Sequence, residues 1–158
     1  MDLFAFPSLR WSLVHDLDRS RHHHPRGRSF PLHDGIDPTS VEAYLNRGMA
    51  YAKKGQPDLA IADFNKALEI NPKDADAYSN RGSVRREKRQ YDQAISDLNK
   101  ALEINPNFDM AYYQRGRVYY LKGEYNKSWS DIKRAQDLGF QIPPEFLEDL
   151  RKASGRQN

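Results

Sequence analysis

The sequence predicts an all-α fold, a solenoid of stacked helical hairpins, and three observations carry that prediction. The chain repeats at a fixed period of 34 residues, in blocks that begin at Val41, Ala75 and Asp109 and align without a gap. Small and aromatic residues recur in the same columns of all three blocks. Asn-Pro pairs at 71–72 and 105–106 punctuate the joints, and every long segment between such breaks reads as helix and none as strand. A period of this length marks an array whose units bury their apolar faces against one another.

Residues 1 to 36 stand outside the period and read as an arm. They hold all five histidines together with Pro7, Pro25 and Pro31. Leu9, Leu13 and Leu17 recur there at four-residue steps beside Val14, behind a Ser8 cap, and predict one short amphipathic helix. Asp2 and Arg10 interrupt the opening and no small-residue cleavage pattern follows, so a secretory signal peptide is not expected.

The repeats are expected within residues 37–142, as 41–74, 75–108 and 109–142. Thr39 with Glu42 three residues later forms a capping-box pattern and opens the first helix, 40–54. Gly55 ends it and Pro57 starts the second, 57–70. The following hairpins read as 75–88 with 91–104 and 109–122 with 125–138. The third block replaces Asn-Pro with Gly139-Phe140, and Pro143-Pro144 introduces a last helix over 143–154. Phe146, Leu147 and Leu150 lie on one side of it, as needed to cover the apolar end of a stack. Ser154 to Asn158 are expected to fray.

The repeated columns have physical reasons. Helices approach closely only where side chains are small, which suits Gly48, Gly82 and Gly116 opposite Ala60, Ala94 and Ser128, and Ala67, Ala101 and Ala135. Tyr44, Tyr78 and Tyr112, with Phe64, Leu98 and Ile132, fill the spaces between. Arg47, Arg81 and Arg115 are each followed 16 residues later by Asp63, Asp97 and Asp131. On a helical hairpin these positions face each other, and a guanidinium fork can bridge them, so the pairs are assigned a structural role.

These columns, with Pro72 and Pro106 closing the first two blocks, resemble the tetratricopeptide repeat. The resemblance covers about residues 37 to 142 and implies a right-handed α-solenoid whose first helices line a concave groove for a peptide or protein segment. Carried onto this chain, the groove positions are Glu42, Leu45, Asn46, Met49 and Lys53, then Asp76, Ser79, Asn80, Ser83, Arg86 and Glu87, then Met110, Tyr113, Gln114, Arg117, Tyr120 and Leu121. Asn46, Asn80 and Gln114 share one column, where primary amides donate to and accept from a peptide backbone whatever its sequence. Met110, Tyr113, Tyr120 and Leu121 are expected to form an apolar anchor pocket. Some members of the family clamp the terminal carboxylate of chaperone tails with Lys, Asn and Arg. Leu45, Met49, Asn80, Met110 and Gln114 occupy those positions here, only the Asn matches, and without the cations such a clamp is not expected.

The middle repeat departs from the family pattern at Arg85, in place of an aromatic, and at Arg89, in place of Gly. Arg81, Arg85 and Arg89 share a stripe beside Arg86 and Lys88, which reads as a solvated helix end or as a surface for an acidic partner.

Composition removes several function classes. The chain has no cysteine and no apolar run long enough to span a bilayer. Its net charge is +3, with five arginines balanced by five aspartates over residues 1–40, which argues against nucleic acid as the partner. His22, His23 and His24 are adjacent and lack the spacing of a metal site, with His15 and His33 apart from them, so no metal or other cofactor is expected. No phosphate-binding glycine loop or nucleophile elbow is present, and no catalytic residue is assigned. The expectation is a non-enzymatic adaptor or assembly module that binds protein or peptide. Its rivals are a self-assembling scaffold, in which stack ends or the arm with Phe4, Phe6, Trp11 and Leu13 join copies into a homo-oligomer, and an RNA-binding helical repeat.

Overall fold

The computed structural model describes Asp37 and residues 39–156. Over them the chain forms α1 (Val41–Lys53), α2 (Pro57–Ile70), α3 (Ala75–Glu87), α4 (Tyr91–Ile104), α5 (Asp109–Leu121), α6 (Tyr125–Asp137) and α7 (Pro144–Ser154), and no strand. The helices fall within a residue of the expected bounds. The short helix expected over Leu9, Leu13 and Leu17, and all five histidines, lie outside the described residues.

One cap differs from expectation. Ser40, not Thr39, caps α1: its Oγ accepts from the Ala43 amide at 3.1 Å, while the Thr39 hydroxyl donates to Asp37 at 2.7 Å. A cap serves the amide two or three residues on, so a helix that starts at Val41 selects Ser40 and leaves Glu42 out of a box. Asp74 repeats the arrangement for α3, accepting from the Ala77 amide at 2.8 Å. The Asn-Pro joints work through the Asn side chains. Asn71 and Asn105 each accept from the amide two residues later, at 3.1 Å, closing a turn that Pro72 and Pro106 keep from continuing as helix.

Each hairpin is held by a close approach. A Cβ built on Gly48 would lie 2.7 Å from the Phe64 ring, and one on Gly82 would lie 2.9 Å from Leu98. Ser128 sits where the other repeats have Ala60 and Ala94; it is buried, and its hydroxyl donates to the Gly116 carbonyl at 2.8 Å, so the extra polar atom is satisfied.

The arginine column binds within and between hairpins. Arg47, Arg81 and Arg115 each present Nε and Nη2 to the two oxygens of Asp63, Asp97 and Asp131, at 2.6–2.9 Å. Tyr44, Tyr78 and Tyr112 lie against the same guanidinium groups, 5.3–5.6 Å from ring centroid to Cζ. Arg81 and Arg115 then use Nη1 to reach Asn65 and Asn99 of the preceding hairpin, at 2.5 and 2.7 Å. Burial alone would lower the Arg115 pKa, but the hydrogen bond and charge of Asp131 raise it on balance.

The last helix closes the stack. Leu150 is fully buried, and Phe146 and Leu147 pack with it over Ile132, Ala135 and Tyr113. Ser154 and Arg156, expected to fray, are tied down: Trp129 Nε1 donates to Ser154 Oγ at 3.0 Å, and Arg156 donates to Asn126 at 3.0 Å. That last contact spans the same thirty residues as the Lys88–Asp58 and Lys122–Asp92 pairs, so the final helix extends the register of the repeats.

Candidate binding face

Successive first helices crowd together. α1 packs on α3 and α3 on α5, whereas no contact of that extent joins α2 to α4 or α4 to α6. A stack whose one side is drawn closer curves toward it, so α1, α3 and α5 form the inner face.

The residues assigned to that face divide into three sets. Glu42, Asn46, Met49, Lys53, Asp76, Glu87, Met110 and Leu121 are exposed. Leu45, Asn80, Ser83, Gln114, Arg117 and Tyr120 are half-buried. Ser79 and Tyr113 are buried, and Arg86 is only 9% exposed. Among the described residues the exposed large apolar side chains are Met49, Leu59, Ile70, Met110 and Leu121, and three of these five stand on the inner face.

The expected aromatic anchor is dismantled by the end of the chain. Phe140 stacks on Tyr113 with centroids 4.7 Å apart, and Phe146 meets Tyr113 and Tyr120 edge-on at 5.9 and 5.4 Å. The segment after α6, where the period is abandoned, takes the two tyrosines into the core. Met110 and Leu121 keep their exposure. Nothing in the 34-residue period signals this, because Phe140 lies in the part of the third block that abandons the repeat.

The basic stripe of the middle repeat is also dispersed. Arg85 turns with Arg81 onto Asp97, at 2.7 Å, taking the place against the arginine column that Tyr51 and Tyr119 hold in the other repeats. Lys88 pairs with Asp58 of the preceding hairpin. Arg89 is exposed at the helix end.

Arg86 turns the other way, onto the inner face. Its Nη1 donates to Gln114 Oε1 of α5 at 2.6 Å, and Glu87 stands 3.6 Å from Nη2 at the exposed rim. Gln114 is therefore engaged with Arg86 and does not extend an open column of amides from Asn46 and Asn80. Arg117, one turn beyond Gln114, lies over the Tyr113 ring at 5.6 Å and has no carboxylate partner among the described residues. Burial and then the nearby Arg117 charge lower the Arg86 pKa, against a smaller opposing pull from Glu87.

Among the described residues no three His, Asp or Glu side chains gather as metal ligands, and no helix is long and apolar enough to cross a membrane.

Three family models match the chain: tetratricopeptide repeat over residues 41–74, TPR repeat over 82–123, and a further tetratricopeptide repeat over 64–96. No curated protein sequence matches it. Among solved structures the chain is similar to the first TPR of Spaghetti (RPAP3) bound to the HSP90 peptide SRMEEVD. That likeness has 26% identity and a TM-score of 0.68 over 76% of this chain and 94% of that one. It is similar to the Arabidopsis OM64 TPR domain, at 26% identity and a TM-score of 0.68 over 73% and 97% of the two chains. The TPR2B domain of yeast Sti1, in complex with an Hsp70 peptide, gives 25% identity and a TM-score of 0.66 over 74% and 98%.

Proposed function

The chain belongs to the tetratricopeptide-repeat family, and from that premise we propose that its inner face is a non-catalytic docking surface for a peptide or protein segment, in an adaptor or assembly role. The observation that carries this reading is the placement of Met49, Met110 and Leu121, large apolar side chains left in water on the face lined by the first helices. Exposed apolar residues beside polar and cationic ones are the ordinary material of an interface. Asn46 and Asn80 add amides able to hold a peptide backbone.

The chaperone peptides bound by similar domains are not carried over. At the positions where the family clamps a terminal carboxylate this chain has Leu45, Met49, Met110 and Gln114, and a carboxylate set there would lose its hydration without gaining a cation. The segment sought is one with apolar side chains for Met49, Met110 and Leu121.

The test is a peptide-array screen on the full chain, repeated with Asn80→Ala and with Met110→Ser. Binding that both substitutions weaken, with unchanged melting temperatures, supports the reading. Binding indifferent to both removes the inner face from consideration, and a chain that binds nothing until residues 1–36 are deleted makes the arm the occupant. Tyr113 is unsuited as a probe, since truncating it opens the core.

A further inference from the structure

Four residues of α5 form one stripe: Met110, Gln114, Arg117 and Leu121 recur at helical spacing along the inner face. Its two ends are exposed and apolar, at 39% for Met110 and 48% for Leu121. Its middle is cationic. Arg117 lies there, and Arg86 reaches across from α3 to hold Gln114 at 2.6 Å, which brings a second guanidinium beside the first. Among the described residues Glu87, exposed on the rim, is the one carboxylate paired with either, and it faces Arg86 at 3.6 Å.

Two guanidinium groups against one carboxylate leave a single uncompensated positive charge in a place where burial has already removed much of the water. The arginine column shows how this chain treats other half-buried guanidinium groups: Arg81, Arg85 and Arg115 all bond a carboxylate. Arg117 does not. Its guanidinium lies over the Tyr113 ring at 5.6 Å, with Met110 and Leu121 along the helix to either side.

We propose that Arg117, with Arg86 behind it, is a receptor for one carboxylate side chain of an extended partner segment, held between two apolar residues that meet Met110 and Leu121. This rests on the docking role of the inner face and adds the chemistry of what docks. The leftover charge is single, so a monoanionic Asp or Glu balances it where a phosphoryl group would bring excess negative charge. The spacing follows from the helix. At 1.5 Å per residue Met110 and Arg117 are about 10 Å apart along the axis and Arg117 and Leu121 about 6 Å. An extended segment laid along α5 advances about 3.3 Å per residue, so the acid falls about three residues from one apolar position and two from the other. Neither Arg86 nor Arg117 occupies a position of the family's carboxylate clamp, although Met110 and Gln114 beside them do.

The experiment is selection of a displayed random peptide library on the full chain, followed by affinity measurements on the selected peptides as synthesised and with each Glu or Asp replaced by its amide or by phosphoserine. The expected result is selected peptides with an acidic residue between two apolar ones, an affinity loss of about tenfold on amide replacement, and loss of that discrimination in Arg117→Gln. The comparison of acid with amide uses the wild-type chain and so stands whether or not a variant folds. Selected peptides that bind the inner face equally well as acid and amide overturn the carboxylate receptor and leave the docking role standing. A preference for phosphoserine overturns the choice of carboxylate. A library from which nothing is selected removes the docking role and the receptor together.

Discussion

Arg81 Nη1 donates to Asn65 Oδ1 at 2.5 Å, so the guanidinium that closes the second hairpin also ties it to the first. Its remaining nitrogens hold Asp97 at 2.9 and 2.6 Å. One side chain thus spans α2, α3 and α4, and Arg115 repeats the arrangement with Asn99 and Asp131 one period later.

Asp97 is the most loaded member of this array, because Arg85 adds a third donor. Asp97→Ala strands two half-buried guanidinium groups and is expected to cost about 3 kcal/mol. Asp131→Ala strands one and should cost less. Urea unfolding of both variants checks the order, and equal losses would contradict it.

Asn65→Ala removes a charge-assisted bond between hairpins and is expected to cost about 1–2 kcal/mol. Lys133, exposed at the same position of the third repeat, has no following arginine to bind, so Lys133→Ala should change little. Thermal melts of the two variants side by side test whether the asparagines join the hairpins.

Arg89 adopts a φ of +60°, where the other repeats place Gly55 at +70° and Gly123 at +76°. A side chain there costs about 1–2 kcal/mol that glycine does not incur, less the extra freedom glycine brings to the unfolded chain. Arg89→Gly should therefore stabilise by about 1 kcal/mol. A lower melting temperature for this variant would mean that Arg89 makes a compensating contact.

Helix propensity alone favours Ala over Gly by about 1 kcal/mol in a helix interior. At Gly82 the sign should reverse, since a new Cβ would meet Leu98 Cγ at 2.9 Å and the Ala94 carbonyl at 3.2 Å. Gly82→Ala is expected to destabilise by about 1–3 kcal/mol, read from urea midpoints. Stabilisation instead would show that α3 and α4 can separate without penalty.

The sequence by itself determined the repeat, the helices and the facing of Arg47 to Asp63 with its two copies, because each of these follows from residues at fixed separations along one hairpin. It carried the Asn65 and Asn99 column as well, at the same period. Only packing of α2 against α3, and of α4 against α5, gives that column its partners, since a hydrogen bond between hairpins depends on how they stack. The inner face was legible as a set of positions and not as a surface. Phe140 and Phe146 close over Tyr113 and Tyr120 where the chain leaves the period, because the last apolar face of the stack must leave water. Arg86 and Arg117 likewise stood as separate cations in different repeats. Tertiary structure decided that they converge, by setting α3 beside α5 at the distance where one guanidinium reaches Gln114 and the other lies a single turn away.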